Sequence, residues 1–182
     1  MYFSYQKHGE TERLPLVIRH NRDDVQSMLS LLLVLNRVYF HVEKRRYDMV
    51  HRSSIAPIAS ALYRRDPEAF IDMVRYIGGD IFSDRALFKK YSSALKRAGR
   101  LDEAIEFWHQ DGSVFSLEEL AKHAEHRERD PGAALTLCAS AMELLDRGIL
   151  SGRGERPSKE HREFLRERML YRMGRLKRKS GQ

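Results

Sequence analysis

The stretch Arg19-His20-Asn21-Arg22-Asp23-Asp24-Val25 opens an apolar run that reaches Tyr39, and the interpretation of the rest of the chain depends on it. It places polar side chains that can bind a metal ion or take part in catalysis at the start of a long hydrophobic segment. Because residues four apart share one face of a helix, His20 and Asp24 are predicted to point the same way. An imidazole and a carboxylate placed in this manner can hold a divalent cation and a water molecule between them.

The apolar residues of this stretch recur at spacings of three and four, which predicts a helix that begins near Pro15. Between Met28 and Leu35 they cover most of the helix circumference, so we expect burial on more than one side. The longest unbroken apolar run begins at Leu31 and stops at Asn36, far short of the ~20 residues of a transmembrane helix. The sequence therefore predicts no membrane-spanning segment.

Composition sets the broad class of protein. The chain has 182 residues, of which 42% are hydrophobic, enough for the packed core of one domain or two small ones. The only cysteine, Cys138, lies among small apolar residues and is predicted to be a buried side chain in a reducing compartment. Residues 1–7 lack the apolar core of a secretory signal, so we expect a cytoplasmic protein.

The net charge of +7 is concentrated at the C-terminus. Residues 153–182 contain eleven Lys or Arg and four Glu, a difference of seven that accounts for the whole excess. Apolar residues between these charges predict a basic amphipathic helix over residues 158–179. Its apolar face is too narrow and interrupted for a membrane-surface helix.

Two interpretations of this basic helix remain open. It can be a solvated helix that docks on the preceding helices, or it can contact the phosphate backbone of a nucleic acid. In the second interpretation, the nucleic-acid-binding side chains are Arg166, Arg172, Arg175, Lys177, Arg178 and Lys179.

Between residues 47 and 152 the sequence indicates short amphipathic helices separated by turn signals. No stretch alternates with the period of a strand, so the predicted fold class is all-α. Each Asp-Pro pair is predicted to begin a helix, with aspartate as N-cap and proline at the first helical position. The turn signals are Asp66-Pro67, Gly78-Gly79, Ala98-Gly99, Asp111-Gly112, Asp130-Pro131, Arg147-Gly148 and Ser151-Gly152.

These helices resemble one another in pairs. Three similar segments align on Ala69, Ala104 and Ala133, at spacings of 35 and 29 residues, near the ~34 residues of a tetratricopeptide unit. Residues 91–104 resemble a tetratricopeptide turn, whereas a generic array of helical hairpins remains an alternative for the flanking units. The small residues expected to let two helices approach closely are Ala94, Gly99 and Ala104.

The opening stretch also has a purely structural interpretation. Asn21 followed three residues later by Asp24 fits a helix N-cap with an acidic first turn, which the helix dipole favours. In that case His20 is an ordinary surface or core histidine.

A family resemblance favours the functional interpretation. The segment from Leu16 to Met28 resembles the third exonuclease motif of RNase H-like 3′–5′ exonucleases of the DnaQ (DEDD) superfamily. The closest branch is the YprB-like ribonuclease H-like proteins, in which an aromatic residue or histidine, Asn, two variable residues, Asp and Val open the last helix of the fold. A tetratricopeptide-like C-terminal region is also similar to that branch, so the resemblance covers nearly the whole chain.

The resemblance implies specific roles for two residues. Asp24 matches the last metal-binding carboxylate, and His20 matches the residue that orients or deprotonates the attacking water. Two Mg²⁺ or Mn²⁺ ions about 4 Å apart would activate that water and steady the leaving oxygen of a phosphodiester. The implied partner is a single-stranded end of DNA or RNA.

The chain departs from the family pattern in one respect. Such enzymes carry a strand-borne Asp-x-Glu and a further Asp upstream of the third motif, and the residues before His20 offer neither. Asp66-Pro67-Glu68 matches the Asp-x-Glu pattern, but its Asp-Pro pair should begin a helix, whereas the family motif lies on a strand. We therefore expect this chain to be the C-terminal part of a longer exonuclease-like protein and to be inactive by itself. Mg²⁺ or Mn²⁺ would bind only to the complete protein.

Together these observations predict three regions. Residues 1–46 would be the end of an RNase H-like domain with a long buried helix, residues 47–152 tetratricopeptide-like repeats, and residues 153–182 a basic helix and tail. The alternative is a non-catalytic interaction module whose repeats bind a protein partner in their groove.

Overall fold

The chain is all-α in the described part, which confirms the predicted fold class. The structure is a computed structural model that describes residues 14–180, apart from the side chain of Asp80. It is 84% helical and shows no strand in the described range. The N-terminal loop predicted for residues 1–14 lies almost wholly outside that range.

The chain divides into two compact units, Met1–Gly78 and Gly79–Gln182. The predicted boundaries after residues 46 and 152 separate regions of different sequence character and not compact units, and they stay a prediction. The helices of the first unit are α1 (Leu14–Glu43), α2 (Arg52–Arg65) and α3 (Pro67–Ile77), with a 3-10 turn at Tyr47–Met49. After a 3-10 turn at Gly78–Ser83, the second unit contains α4 (Arg85–Arg97), α5 (Leu101–Asp111), α6 (Val114–His123), a π-helical segment (Ala124–Glu128), α7 (Pro131–Asp146) and α8 (Lys159–Ser180).

The two Asp-Pro pairs begin helices as predicted. The Asp66 carboxylate accepts a hydrogen bond from the Ala69 backbone N–H at 2.9 Å, and Asp130 accepts one from Ala133 at 2.8 Å. Proline occupies the first helical position in both cases, where its missing N–H costs no hydrogen bond. Local chemistry alone therefore fixes where α3 and α7 begin.

The α4–α5 hairpin contains the predicted small residues, but they play two different roles. Ala94 and Ala104 are fully buried, as expected for close helix packing. Gly99 has φ +73° and open space around the position of a Cβ, so it does not mediate close approach. Its role is to adopt the left-handed backbone conformation that ends α4.

Helix α1 contradicts the prediction of a long buried helix. Only His41 and Val42 are buried, both in its last turn. The prediction was wrong because the described residues supply nothing that covers the apolar surface of α1. Ten large side chains along the helix are 45–62% exposed: Leu16, Ile18, Val25, Met28, Leu29, Leu31, Leu32, Leu33, Val34 and Leu35.

The same helix is long and apolar enough to cross a membrane, which corrects the expectation drawn from the short run that ends at Asn36. Arg37 is its only charged residue between Val25 and Val42, and just 11% of its most apolar 18-residue window is buried. A single helix of this kind does not by itself indicate a membrane protein, because core helices of soluble proteins meet the same criterion. The described part of the chain has no clear membrane-protein character, and a cytoplasmic location stays a prediction.

Within the first unit, α1 is held near its C-terminal end. The buried Tyr47 donates a hydrogen bond from its hydroxyl to the Ala69 carbonyl at 3.4 Å. Arg45 pairs with Asp72 of α3. The rest of α1 extends away from these contacts with its apolar side chains exposed.

The core of the second unit lies where α6, α7 and α8 pack together. Cys138 is completely buried there, as predicted, and burial raises the pKa of its thiol. A second buried group lies at the α4–α5 hairpin, where Trp108 donates from Nε1 to the Ser92 hydroxyl at 2.8 Å. The α6–α8 core consists of Val114, Ala121, Ala124, Ala134, Cys138, Ala141, Leu145, Leu165, Met169 and Leu176.

Replacing Ala94 with leucine tests the packing of the α4–α5 hairpin. Ala94 is fully buried, so the added methylenes should lower the free energy of unfolding by about 1–3 kcal/mol. Ala86→Leu on the same helix is the matched control, because Ala86 is exposed and the change there should stay within about 0.5 kcal/mol. Urea denaturation followed by circular dichroism measures both, and equal stabilities of the two variants would contradict the packing described.

The exposed apolar surface of α1 should make the isolated chain self-associate. Replacing both Leu32 and Leu33 with lysine should shift the mass measured by light scattering towards the monomer. Ser30→Lys adds a charge on the polar side of the helix and should leave association unchanged. A strictly monomeric unmodified chain at high concentration would show that α1 is not a sticky surface.

Candidate functional site

The structure brings His20 and Asp24 together as their spacing predicts. His20 Nε2 lies 3.4 Å from Asp24 Oδ2, on one face of the N-terminal half of α1. Both side chains are open to solvent, with exposed fractions of 74% and 56%. The pair is therefore formed and accessible, and its catalytic role stays a prediction.

These residues alone do not fit the metal centre that the resemblance implies. The neighbouring Asp23 lies 3.4 Å from the Arg22 guanidinium, which competes for its carboxylate. Within residues 14–180, no group of three or more His, Cys, Asp or Glu side chains is placed to hold a metal ion. Mg²⁺ keeps several waters and needs only one or two carboxylates, but a single carboxylate beside an imidazole cannot organise the two ions that the resemblance implies.

The position of the pair on α1 is informative. Between Met28 and Leu35 the only polar residue is Ser30, so at 100° per residue the apolar side chains there span roughly 260° of the helix circumference. His20 and Asp24 lie on the same side of the helix as the apolar Leu31. The pair thus lies at one end of the surface that needs a cover.

The basic helix α8 docks on the second unit, which is the first of the two interpretations of its sequence. Leu165, Met169 and Leu176 are buried against the neighbouring helices. Four of the six side chains predicted to bind nucleic acid form ion pairs within the unit: Arg166 with Asp146, and Arg172, Arg175 and Lys179 with Glu125. Arg178 donates to the Gly174 carbonyl at 3.3 Å, while Lys177 is exposed and no ion pair with a described residue is found for it.

Glu125 is the centre of this ion-pair cluster. Its carboxylate is almost completely buried in the π-helical segment that follows α6, and it accepts from Arg172 at 3.0 Å, Arg175 at 2.5 Å and Lys179 at 2.7 Å. Burial alone would raise the pKa of Glu125. The hydrogen bonds from Lys179 and Arg175 outweigh that effect and hold the pKa below its usual range.

Sequence reasoning missed two neighbouring cavities in the second unit. The larger, of about 570 Å³, lies between α4, α6, α8 and the segment that precedes α8. The smaller, of about 360 Å³, lies between α6 and α8. Glu118, Lys122 and Arg168 line both cavities, which places the two cavities side by side. The signal that could have found them is the alternation of aromatic and cationic residues along α8.

The comparisons with known proteins give one match. No family model matches the chain, and no solved structure matches it. The chain is similar to the uncharacterized protein YprB of Bacillus subtilis (strain 168), with 27% identity over 192 residues. The similarity covers 98% of this chain and 42% of that protein, so the chain spans less than half the length of the curated relative. The predicted likeness to YprB is confirmed at this coarse level, and the nuclease-like and tetratricopeptide-like characters stay predictions.

Glu125→Gln tests whether the ion-pair cluster holds α8 in place. The amide cannot serve three cations as a carboxylate does, so the free energy of unfolding should fall by about 1.5–3 kcal/mol at neutral pH. Glu128→Gln, a change to an exposed acid in the same segment, is the control and should cost no more than about 0.5 kcal/mol. Similar losses in both variants would show that the cluster contributes little.

The lowered pKa of Glu125 also predicts a pH dependence. A carboxyl whose pKa is lower in the folded state stabilises the protein above its unfolded value of about 4.3, and the contribution disappears as pH falls through the folded value. Stability should therefore decline below about pH 4.3, and Glu125→Gln should decline less steeply than the unmodified chain. Parallel profiles in urea titrations across this range would contradict the prediction.

Proposed function

We propose that this chain is the C-terminal portion of a metal-dependent RNase H-like 3′–5′ exonuclease that acts on single-stranded nucleic acid, and that it is inactive by itself. His20 and Asp24 would be its contribution to the active site. The observation that carries the proposal is their pairing at 3.4 Å on a long helix whose apolar side chains lie uncovered.

The shape of the apolar surface of α1 supports this proposal. Between Met28 and Leu35, apolar side chains span roughly 260° of the helix circumference, interrupted only by Ser30. A partner helix covers a stripe only somewhat over 100° wide, so a simple helix pair would leave most of this surface in water. A helix packed between a sheet and further elements is covered on several sides, as the last helix of a nuclease domain would be.

The residues that such an active site still needs would come from outside the described part of the chain. Asp66 cannot be one of them, because it caps α3 through the Ala69 N–H. The likeness to the Bacillus protein supports the same arrangement, because it extends over this whole chain but less than half of that protein. Mg²⁺ or Mn²⁺ would be a cofactor of the complete protein only.

A non-catalytic interaction module is the alternative function. The larger cavity of the second unit favours it, since about 570 Å³ is within the usual range of ligand pockets. In that case α1 would serve only for packing, and a protein partner would bind in the groove of the helical array.

A chimera tests the proposed nuclease function. This chain replaces the matching part of Bacillus YprB, and the product is incubated with Mn²⁺ and an end-labelled single strand. We expect cleavage by the chimera and none by the isolated chain. Asp24→Ala should reduce the rate at least about a hundredfold, because even residues that only support a metal ligand cost 10–100-fold when they are removed.

Asp23→Ala is the matched control for this experiment. It removes the adjacent carboxylate, which pairs with Arg22 and has no assigned role, and should leave cleavage intact. Equal cleavage rates of the Asp24→Ala chimera and its parent, with helicity unchanged, would eliminate the proposed role of Asp24.

A further inference from the structure

One stripe of α8 alternates aromatic and cationic side chains. Phe164, Arg168, Tyr171 and Arg175 follow one another at spacings of four, three and four, which places them on a single face of the helix. Phe164 is 55% exposed and Tyr171 is 72% exposed. Phe164 borders the larger cavity and Tyr171 the smaller one, while Arg168 lies between them and borders both. This stripe is called the α8 track below.

Ion pairs with buried glutamates hold the cations of the α8 track and its neighbours in place. Arg168 pairs with Glu118, which is buried on α6, and Lys122 lies 2.9 Å from the same carboxylate. At the far end, Arg175 donates to Glu125 through Nη2, while its buried Nε has no hydrogen-bond partner among the described residues. The Arg168 guanidinium lies 5.7 Å from the centre of the Phe164 ring. Each cation keeps N–H groups beyond those used by the buried acids.

The two cavities carry more positive than negative charge. Seven Lys or Arg line them against two Glu. Lys89 and Arg156 are exposed at the larger cavity, and neither forms an ion pair with a described residue that would neutralise it. The Lys89 ammonium lies 5.6 Å from the centre of the Phe115 ring, so a ring and a cation are again neighbours.

We propose that the α8 track and the two cavities beside it form a binding site for single-stranded nucleic acid, in which bases stack on Phe164 and Tyr171 and phosphates lie against the flanking cations. Exposed rings along a positively charged groove are the combination that binds single strands without sequence preference. This site lies in the second unit, whereas the His20–Asp24 pair belongs to the first, so the proposal goes beyond the proposed catalytic function.

The exposed rings of Phe164 and Tyr171 distinguish between the candidate ligands of negative charge. An acidic peptide would use the cations but would give two largely exposed aromatic side chains no partner. Duplex DNA keeps its bases stacked inside the helix, so it cannot stack them on Phe164 and Tyr171. Only a single strand uses the rings and the cations together.

Fluorescence anisotropy of the full chain with a labelled oligothymidylate tests the site. EDTA is present throughout, so that binding is measured without any cleavage and independently of the proposed nuclease function. We expect binding at low salt that weakens steeply between about 50 and 200 mM salt. A duplex of the same length should bind more weakly than the single strand.

Two pairs of variants separate stacking from charge. Phe164→Ala and Tyr171→Ala should each weaken binding roughly tenfold, whereas Leu170→Ala, on another face of α8, should not. Lys89→Gln and Arg156→Gln should each lower the salt slope by about 0.7, whereas Lys159→Gln should leave it unchanged. The ring substitutions remove exposed side chains, and unchanged thermal melts would show that the variants remain folded.

Three results would overturn the proposal. The first is the absence of single-strand binding at low salt. The second is equal binding by the ring variants and the Leu170→Ala control. The third is displacement of the strand by oligoglutamate at equal charge concentration, which would identify the groove as a site for acidic peptides.

Discussion

The second unit depends on buried carboxylates that neutralise a strongly basic helix. Glu118 and Glu125 are buried in α6 and the π-helical segment; Glu118 pairs with Arg168 of α8, and Glu125 with Arg172, Arg175 and Lys179. Without these acids, docking α8 would bring several guanidinium groups together with no opposite charge, at a high cost in desolvation. Because the acids are buried and the cations are partly exposed, the ion pairs that hold α8 in place keep the cationic side chains at the surface.

Local signals predicted most of the architecture, and the failures have a common physical cause. Asp66 and Asp130 begin helices through hydrogen bonds three residues away, and Gly99 ends one through its own backbone angle. Such contacts can be inferred from neighbouring letters. The element that covers α1 could not, because a hydrophobic pattern shows that a surface needs a cover but not which part of a protein supplies it.

The same distinction between local and distant contacts explains which features of the candidate site could be predicted. The His20–Asp24 contact follows from the helical period and was predictable, whereas its chemical role depends on groups elsewhere. On α8 the excess of charge was clear, but its partners Glu118 and Glu125 lie about fifty residues away in sequence and become visible only in the packed unit. The spacing of Leu165, Met169 and Leu176 indicates the docked face, and the α8 track lies beside it.

Because Cys138 is buried, the reactivity of its thiol can be used to measure conformational opening of the second unit. It is the only thiol in the sequence and lies within the α6–α8 core, while the exposed helix α1 carries none. A thiol reagent can therefore react only when this core opens, so the labelling rate reports the opening equilibrium of the second unit. Association through α1 would leave that rate unchanged unless it reaches the core. Thiol labelling would therefore measure the integrity of the α6–α8 core separately from any association through α1, two effects that a global unfolding experiment combines.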